Sequence, residues 1–308
     1  MKYDVISIID ACADLVLGPR AVPEYGRETR VEDNTLCMGG SASIFLSQAG
    51  RLGLQAAALG LCGADFFGET VLRTLKNSGV DTSLVKESPN TRTGLSVILQ
   101  QEQSHAILTV GGCIDDSTPA DLPLNWAASA RHQHIASPYL LTGFRPHWAE
   151  LAAAFKAAGG TVSLDPNWDP SGNFAGLDEL LDHITVLLPN EQEARALGGS
   201  DNLEKAVTDL AKRIAVVAVK RGEEGAMGIT NCPTETTAIV TVPAKKVEAV
   251  ADTVGAGDSF DAGFIYGFLN GFSFEKCLIA GTICGAGNVT GHGGTAGQVW
   301  LEGFLKAL

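Results

Sequence analysis

Short apolar runs alternate along this chain with longer segments whose apolar positions recur at helical spacing. Residues 5–9, VISII, have the length and composition of a buried strand. Residues 41–53, SASIFLSQAGRLG, place apolar side chains at helical intervals and close on Gly53, a natural helix stop. QAAALGLCG (55–63) predicts a second strand, and 65–78 a helix closed by Gly79. Further strands are expected over 132–138, 160–166, 184–190 and 214–220, separated by helices near 146–158, 191–197 and 202–213. Runs rich in Val, Ile and Leu that alternate with helices predict a parallel sheet covered on both faces. The expected fold class is α/β: a doubly wound, mostly parallel sheet with helices on both faces.

One segment departs from this rhythm. TGLSVILQQEQSHAILTVGG (93–112) carries two strand-like runs around a polar QEQS turn, which predicts a β-hairpin where a helix is due. The stretch 15–38 is poorly helical and adds strands beside it. The expectation is a single domain, 1–308, with a small β lid inserted from about 15–38 and 93–112. The part from residue 257 onward reads as wholly helical.

Composition narrows the function. With 308 residues, 45% of them hydrophobic, the chain can bury a sizeable core. A net charge of −13 argues against non-specific nucleic-acid binding, which needs clustered Lys and Arg. It leaves a nucleotide ligand open, because a few backbone donors can hold a phosphate. The 7 cysteines, at 12, 37, 62, 113, 232, 277 and 284, include no CxxC pair, so neither a disulfide framework nor a zinc site is indicated. The opening MKYDVISIID lacks the apolar core of a signal peptide, and no apolar run reaches the roughly 18 residues of a membrane span. A soluble protein of a reducing cytoplasm is expected, without nucleic-acid or membrane partners.

In open α/β sheets, ligands sit beyond the carboxyl ends of the strands. Asp10, Asp165, Asn167, Asn190, Glu193, Lys220 and Gly222 all fall there. A second concentration of chemistry is DTVGAGDSFDAGF (252–264), just before an apolar helical run. Gly255, Ala256 and Gly257 can bring bare N–H groups together at a helix N-terminus, which favours an anion such as phosphate. Asp258 in the first turn either caps the helix or takes the proton of an attacking hydroxyl during phosphoryl transfer. Gly263 and Gly267 on one helix, and AGTICGAGN (280–288) on the next, allow close packing or a slot for a flat group such as adenine.

These stretches resemble the PfkB family of sugar and nucleoside kinases, with the ribokinase-like fold. DTVGAGDSFDAGF resembles the family signature D-T-x-G-A-G-D-x-F. GGSASIFLSQAGRLG (39–53), GADFFGE (63–69), TG (93–94), DPN (165–167), PNEQEA (189–194) and KRGEEGA (220–226) follow in the family's order over nearly the whole chain. The resemblance implies transfer of the γ-phosphoryl group of ATP to a hydroxyl of a small neutral sugar. It makes Asp258 the general base and the backbone of Gly255, Ala256 and Gly257 the anion hole. Asn190 and Glu193 would organise Mg²⁺ and the nucleotide phosphates, largely through water. A first-turn acid such as Glu193 also complements the helix dipole. Lys220, Gly222 and Gly225 would line the ATP site, with Asn288 near adenine. Asp252 matches a position that in several relatives helps hold a monovalent cation such as K⁺; a turn acid is the alternative. Asp10, Asp14, Gly39, Gly40, Ser43 and Asn167 fall on the sugar side, Asp14 being the stronger of the two acids. A homodimer through the β lid is a further implication of the resemblance.

Two departures bear on the substrate. Ile44 replaces the Asn that commonly ends the family's G-G-x-x-x-N loop. Asp169 stands where relatives acting on 2-keto-3-deoxygluconate often carry an Arg, and an Asp would repel an acidic sugar. Trp168 is either a ligand-stacking or a core side chain, the core being more common for Trp. A nicotinamide dehydrogenase is disfavoured, because no G-x-G-x-x-G follows the first strand, and a P-loop enzyme because no G-x-x-x-x-G-K-[ST] occurs. A nucleoside (adenosine-like) kinase and a non-catalytic sugar-binding relative are the alternatives.

Overall fold

The computed structural model describes residues 1–18, 22–101, 104–231 and 238–308. Three features expected from the sequence fall partly outside these residues: positions 19–21 of the 15–38 stretch, Glu102 and Gln103 of the hairpin turn, and Cys232.

The chain begins with β1 (Tyr3–Ile8), β2 (Cys12–Gly18), β3 (Asp33–Gly39), α1 (Ser41–Arg51), β4 (Ala56–Gly63), α2 (Phe66–Asn77) and β5 (Asp81–Ser88). The hairpin β6 (Gly94–Gln101) and β7 (Ser104–Val110) follows, then α3 (Cys113–Asp116), β8 (Ala130–Ile135), α4 (Trp148–Ala157) and β9 (Thr161–Leu164). Next come α5 (Asp178–Leu181), β10 (Val186–Leu187), α6 (Glu191–Gly198), α7 (Leu203–Ala211), β11 (Val216–Lys220), β12 (Ala226–Thr230) and β13 (Val240–Val242). The last elements are α8 (Ala256–Leu269), α9 (Phe274–Asn288) and α10 (Leu301–Ala307).

Nine strands form the main sheet in the order β13-β12-β11-β10-β9-β8-β1-β4-β5. Its pairs are parallel from β11 to β5 and antiparallel at β11–β12 and β12–β13. Successive strand residues enter opposite cores, as the pleat requires. Ile6, Ile8, Leu187, Val217 and Val219 pack with Trp148, Phe155, Val207 and Leu210 on one face. Val5, Val186, Leu188, Val216 and Ala218 pack with Phe45, Leu46, Val71, Phe260 and Phe264 on the other. This two-sided burial is why the strands read as continuous apolar runs.

A second sheet of four strands, β3-β2-β6-β7, stands apart. It joins β2 to β3 antiparallel, β2 to β6 parallel, and β6 to β7 antiparallel. Its pairs Ser96↔Thr109 and Ile98↔Ile107 put two polar and two apolar side chains on the face toward the main sheet's strand ends. Asp65 helps hold the two sheets in place. Its carboxylate accepts from Gly68 N at 2.8 Å, capping α2, and from Thr93 N at 2.8 Å just before β6.

Some expectations need correction. The run 184–190 yields only two strand residues, because Pro189 has no N–H to continue the ladder; Thr185 N and Leu188 N still bond to Val162 O and Leu164 O. The region after 257 is not wholly helical, since a glycine-rich segment, 289–300, separates α9 from α10. β5 and β13 are the sheet's two edge strands and β12 lies next to β13; none of the three is among the expected runs. No helix among the described residues is long and apolar enough to cross a membrane. Cys12, Cys37, Cys62, Cys113 and Cys284 are free thiols.

Candidate active site

A cavity of about 620 Å³ lies between the carboxyl ends of the main sheet and the small sheet. Asp10, Asp165, Asn167, Asn190, Glu193, Lys220 and Gly222 all line it, so the strand-end residues converge, and Asp258 at the start of α8 joins them. From the small sheet come Cys12, Asp14, Ser96, Ile98, Ile107 and Thr109. Sequence reading identified only Asp14 of these six; the inward alternation along the hairpin is the signal that could have found Ser96, Ile98, Ile107 and Thr109.

The two acids near the first strand have different surroundings. The Asp10 carboxylate accepts from Ser41 N at 2.9 Å, Ala42 N at 3.1 Å and Ser137 Oγ at 2.7 Å. It therefore caps α1 from a distance, where Gly40 offers no side chain to do so. The Cys12 thiol donates to the Asp14 carboxylate at 3.8 Å and the Ser96 hydroxyl stands beside it, and the carboxylate lines the cavity. Burial, and then Asp10, push the Asp14 carboxyl up to about 7.

Both acids explain the neighbouring glycines. A Cβ on Gly39 would lie 2.1 Å from Asp14 Oδ1, and one on Gly40 would lie 2.3 Å from Asp10 O. Gly40 also has φ 82°, which L side chains rarely adopt. Gly40→Ala is therefore expected to destabilise the fold by more than about 2 kcal/mol, read as a lowered Tm. An unchanged Tm would contradict this account of the loop. Ser43 does not reach the cavity: it is fully buried on α1, and its Oγ has no hydrogen-bond partner among the described residues.

Asn167, at φ 51°, accepts from Ser137 N at 2.6 Å and donates to Asp165 at 3.2 Å. Trp168 is 56% exposed at the cavity rim, edge-on to Phe174, so the core reading is set aside. Asp169 does not face the cavity. Its carboxylate is turned inward, accepting from Ser171 N, Ser171 Oγ and Phe174 N, and closes the 169–174 turn. Its charge therefore carries no argument about an acidic sugar. Ile44 lines the cavity and packs closely under Gly255 and Gly294.

The 252–258 stretch starts α8. Gly255 has φ 76°, and a Cβ on it would meet Gly294 at 2.8 Å, so this glycine is required by the fold. Gly257 is different. Its φ is ordinary, and a Cβ there would come no closer than 3.5 Å to the nearest neighbour, Lys220. Both line the cavity, and the N–H groups of Gly255 and Gly257 have no partner among the described residues. Ala256 does not line it, and its N–H donates to Thr253 O at 3.3 Å. Asp258, 7% exposed and close to Ser41, is pushed well above the usual carboxylate range by burial and then by Asp165.

Five other residues have structural partners. Asp252 accepts from Val254 N at 3.1 Å and Gly293 N at 2.9 Å, which is the geometry of a turn acid. Asn288 is buried away from the cavity; it donates to Val254 O at 2.7 Å and accepts from Ser259 Oγ at 3.2 Å, tying the glycine loop to α9. Gly225, at φ 92°, would put a Cβ 2.1 Å from Val242 O, so it serves the β12–β13 packing and does not line the cavity. Asn190 and Glu193 cap α6 reciprocally: Glu193 N donates to Asn190 Oδ1 at 2.9 Å, while Asn190 N and Nδ2 donate to the Glu193 carboxylate at 2.8 and 2.6 Å. Burial, then Asp165, push Glu193 up to about 7.

Lys220 is the one cation lining the cavity among the described residues, and it is already paired. Its Nζ lies 2.6 Å from Asp165 and 3.1 Å from Asp261. Asp261 was missed from sequence; its place three residues after Asp258, on the same helix face, is the signal that could have found it.

The sequence pattern of the pfkB family carbohydrate kinases matches residues 4–300. The chain belongs to that family. It is a kinase, a phosphotransferase with an alcohol group as acceptor, in keeping with a ribokinase-like fold. It is 32% identical over 275 residues to an ATP-dependent ribose-1-phosphate kinase of Halopiger xanaduensis, covering 89% of this chain and 87% of that protein. It is 28% identical over 324 residues to a 2-dehydro-3-deoxygluconokinase of Bacillus subtilis, covering 100% and 97%. Among solved structures, it is similar to Arabidopsis thaliana ribokinase complexed with ribose and ATP, at TM-score 0.83 and 24% identity over 100% of this chain and 99% of that one.

Proposed function

We propose that this pfkB-family kinase transfers the γ-phosphoryl group of ATP to a hydroxyl of a small neutral sugar. The observation that carries the reading is Gly257: a glycine the fold does not demand, open to the cavity, one residue before a buried carboxyl. A site at the start of a helix that must admit a phosphoryl group has this form. Asp258 accepts the proton of the attacking hydroxyl, and the N–H groups at Gly255 and Gly257 stabilise charge on the transferred group. Ala256 contributes to this loop through its turn.

The lining supports a neutral acceptor. Asp10, Asp14, Asp165, Glu193 and Asp258 face the cavity, and Lys220, the one cation lining it among the described residues, is held by two carboxylates. An anionic sugar would meet repulsion without a free basic partner. A nucleoside is the second reading, favoured by the apolar group Ile98, Ile107, Ile114, Leu140 and Trp168 at the same end. Mg²⁺ fits as a water-held ion. No group of three or more His, Cys, Asp or Glu among the described residues could hold a metal, and both Glu193 oxygens accept from Asn190. Mg²⁺ keeps several waters and binds through one or two carboxylates plus substrate phosphates, whose charge it neutralises. The small sheet acts as a lid. Exposed Leu108 and Val110 on its edge strand β7 support a homodimer through it.

A coupled ADP-release assay across neutral sugars, nucleosides and acidic sugars tests this reading. Turnover confined to acidic sugars would overturn it. A third expected result concerns Asp14. Asp14→Asn should raise the acceptor KM by about tenfold or more, the loss of a charged hydrogen-bond acceptor. Because the folded Asp14 carboxyl sits at about 7 against an ordinary 3.8, ionising it opposes folding as pH rises through that window. The variant should therefore be more stable than the parent above pH 7 and equal to it below about pH 4. Denaturant titrations at the two extremes check the sign.

A further inference from the structure

Beneath the first turn of α8 lies a buried cluster that the reading above leaves unused. Lys220 Nζ, at the end of β11, lies 2.6 Å from Asp165 and 3.1 Å from Asp261. Asp261 is fully buried, and its Oδ1 has no hydrogen-bond partner among the described residues. Burial raises the Asp261 carboxyl well above the ordinary range, while Lys220 holds Asp165 lowered. Lys220 with Asp165 is the closer pair, and Asp261 is the second acceptor of the same ammonium.

Its position matters more than its stability. The Lys220 side chain runs within 3.5–3.7 Å of where a Cβ of Gly257 would stand. Charged groups facing Asp258 come from four elements: Asp10 after β1, Asp165 after β9, Lys220 on β11 and Asp261 on α8 itself. Lys220 alone among them is positive. A buried ion pair adds little net stability, so its retention here asks for another use.

We propose that Lys220 is a positioning residue of the transfer step: Asp165 and Asp261 hold its ammonium under Gly257, where it favours the ionised Asp258 and the charge developing on the transferred group. This rests on Asp258 being the base. It differs from the nucleotide-lining role that the KRGEEG motif suggests.

Steady-state kinetics of Lys220→Met across the acid and neutral range test it. The expected result is a fall in kcat of about 10²-fold or more, with the KM for ATP little changed. The acid limb of kcat/KM for the acceptor should also move to higher pH, since a lost cation makes Asp258 harder to ionise. A raised KM for ATP with kcat retained would overturn the proposal in favour of a nucleotide contact. A lowered Tm with an unmoved acid limb would overturn it in favour of a structural role. If the variant does not fold, Asp261→Asn decides. It removes one of the two carboxyl groups that hold the ammonium, so kcat should fall several-fold with the KM for ATP unchanged. A raised KM for ATP with kcat retained would overturn the proposal here too. Wild-type turnover in Asp258→Asn would instead sink the base itself, whatever Lys220 does.

Discussion

Asp258→Asn is expected to fold, to bind ATP, and to lose about 10²–10⁴-fold in kcat. The amide has the carboxylate's shape and can keep the contact with Ser41, but it cannot take a proton. The fold should not suffer. Burial raises the Asp258 carboxyl well above its ordinary value, so its ionised form opposes folding once the pH exceeds the ordinary carboxylate range. Asn removes that opposition, and the Tm at neutral pH should be equal or higher. Activity and stability then move in opposite directions, which separates a catalytic acid from a capping one. An Asp that served only as a cap would lose about 1 kcal/mol of stability on replacement and leave turnover near the parent's. Wild-type-like kcat in this variant would end the base assignment.

Gly257→Ala makes the second large contrast. A methyl group fits the fold, because the nearest neighbours stand at 3.5–3.7 Å and φ is ordinary. Inside a helix, Ala is favoured over Gly by up to about 1 kcal/mol, so the Tm should hold or rise. The same methyl projects where the phosphoryl group must approach the bare N–H groups. Losing one such donor interaction typically lowers kcat by about 10²–10³-fold. Gly255→Ala is the companion measurement. With φ 76° and Gly294 at 2.8 Å, it should lose stability as well as activity. If both variants lose stability alike, Gly257 serves packing and not an anion.

The architecture was legible because two-sided burial writes each parallel strand as an apolar run, and strand ends in such a sheet must point to one edge. That is why Asp10, Asp165, Asn167, Asn190, Glu193, Lys220 and Gly222 could be grouped before their geometry was known. The edge strand β5 escaped because DTSLVKES holds only two apolar residues, Leu84 and Val85, and leaves Ser83, Lys86 and Glu87 in water. Side-chain direction inside a turn was not legible either. Asp169 and Trp168 are adjacent, yet one closes its own turn and the other faces the cavity. The glycines divide in the same way. Gly225, Gly255 and Gly257 read alike in sequence, but only at Gly257 does the fold leave the position free. Asn288 and Ser43 lie one layer behind the cavity, a distance that no motif records.

The central claim is that a phosphoryl group passes from ATP to a hydroxyl of a neutral acceptor in this cavity. ³¹P NMR of the wild-type protein with Mg-ATP and the best neutral acceptor of the panel follows that transfer directly. The account predicts a phosphomonoester signal that grows in step with ADP and needs the acceptor. Inorganic phosphate as the product, or acceptor binding without any loss of ATP, would contradict it.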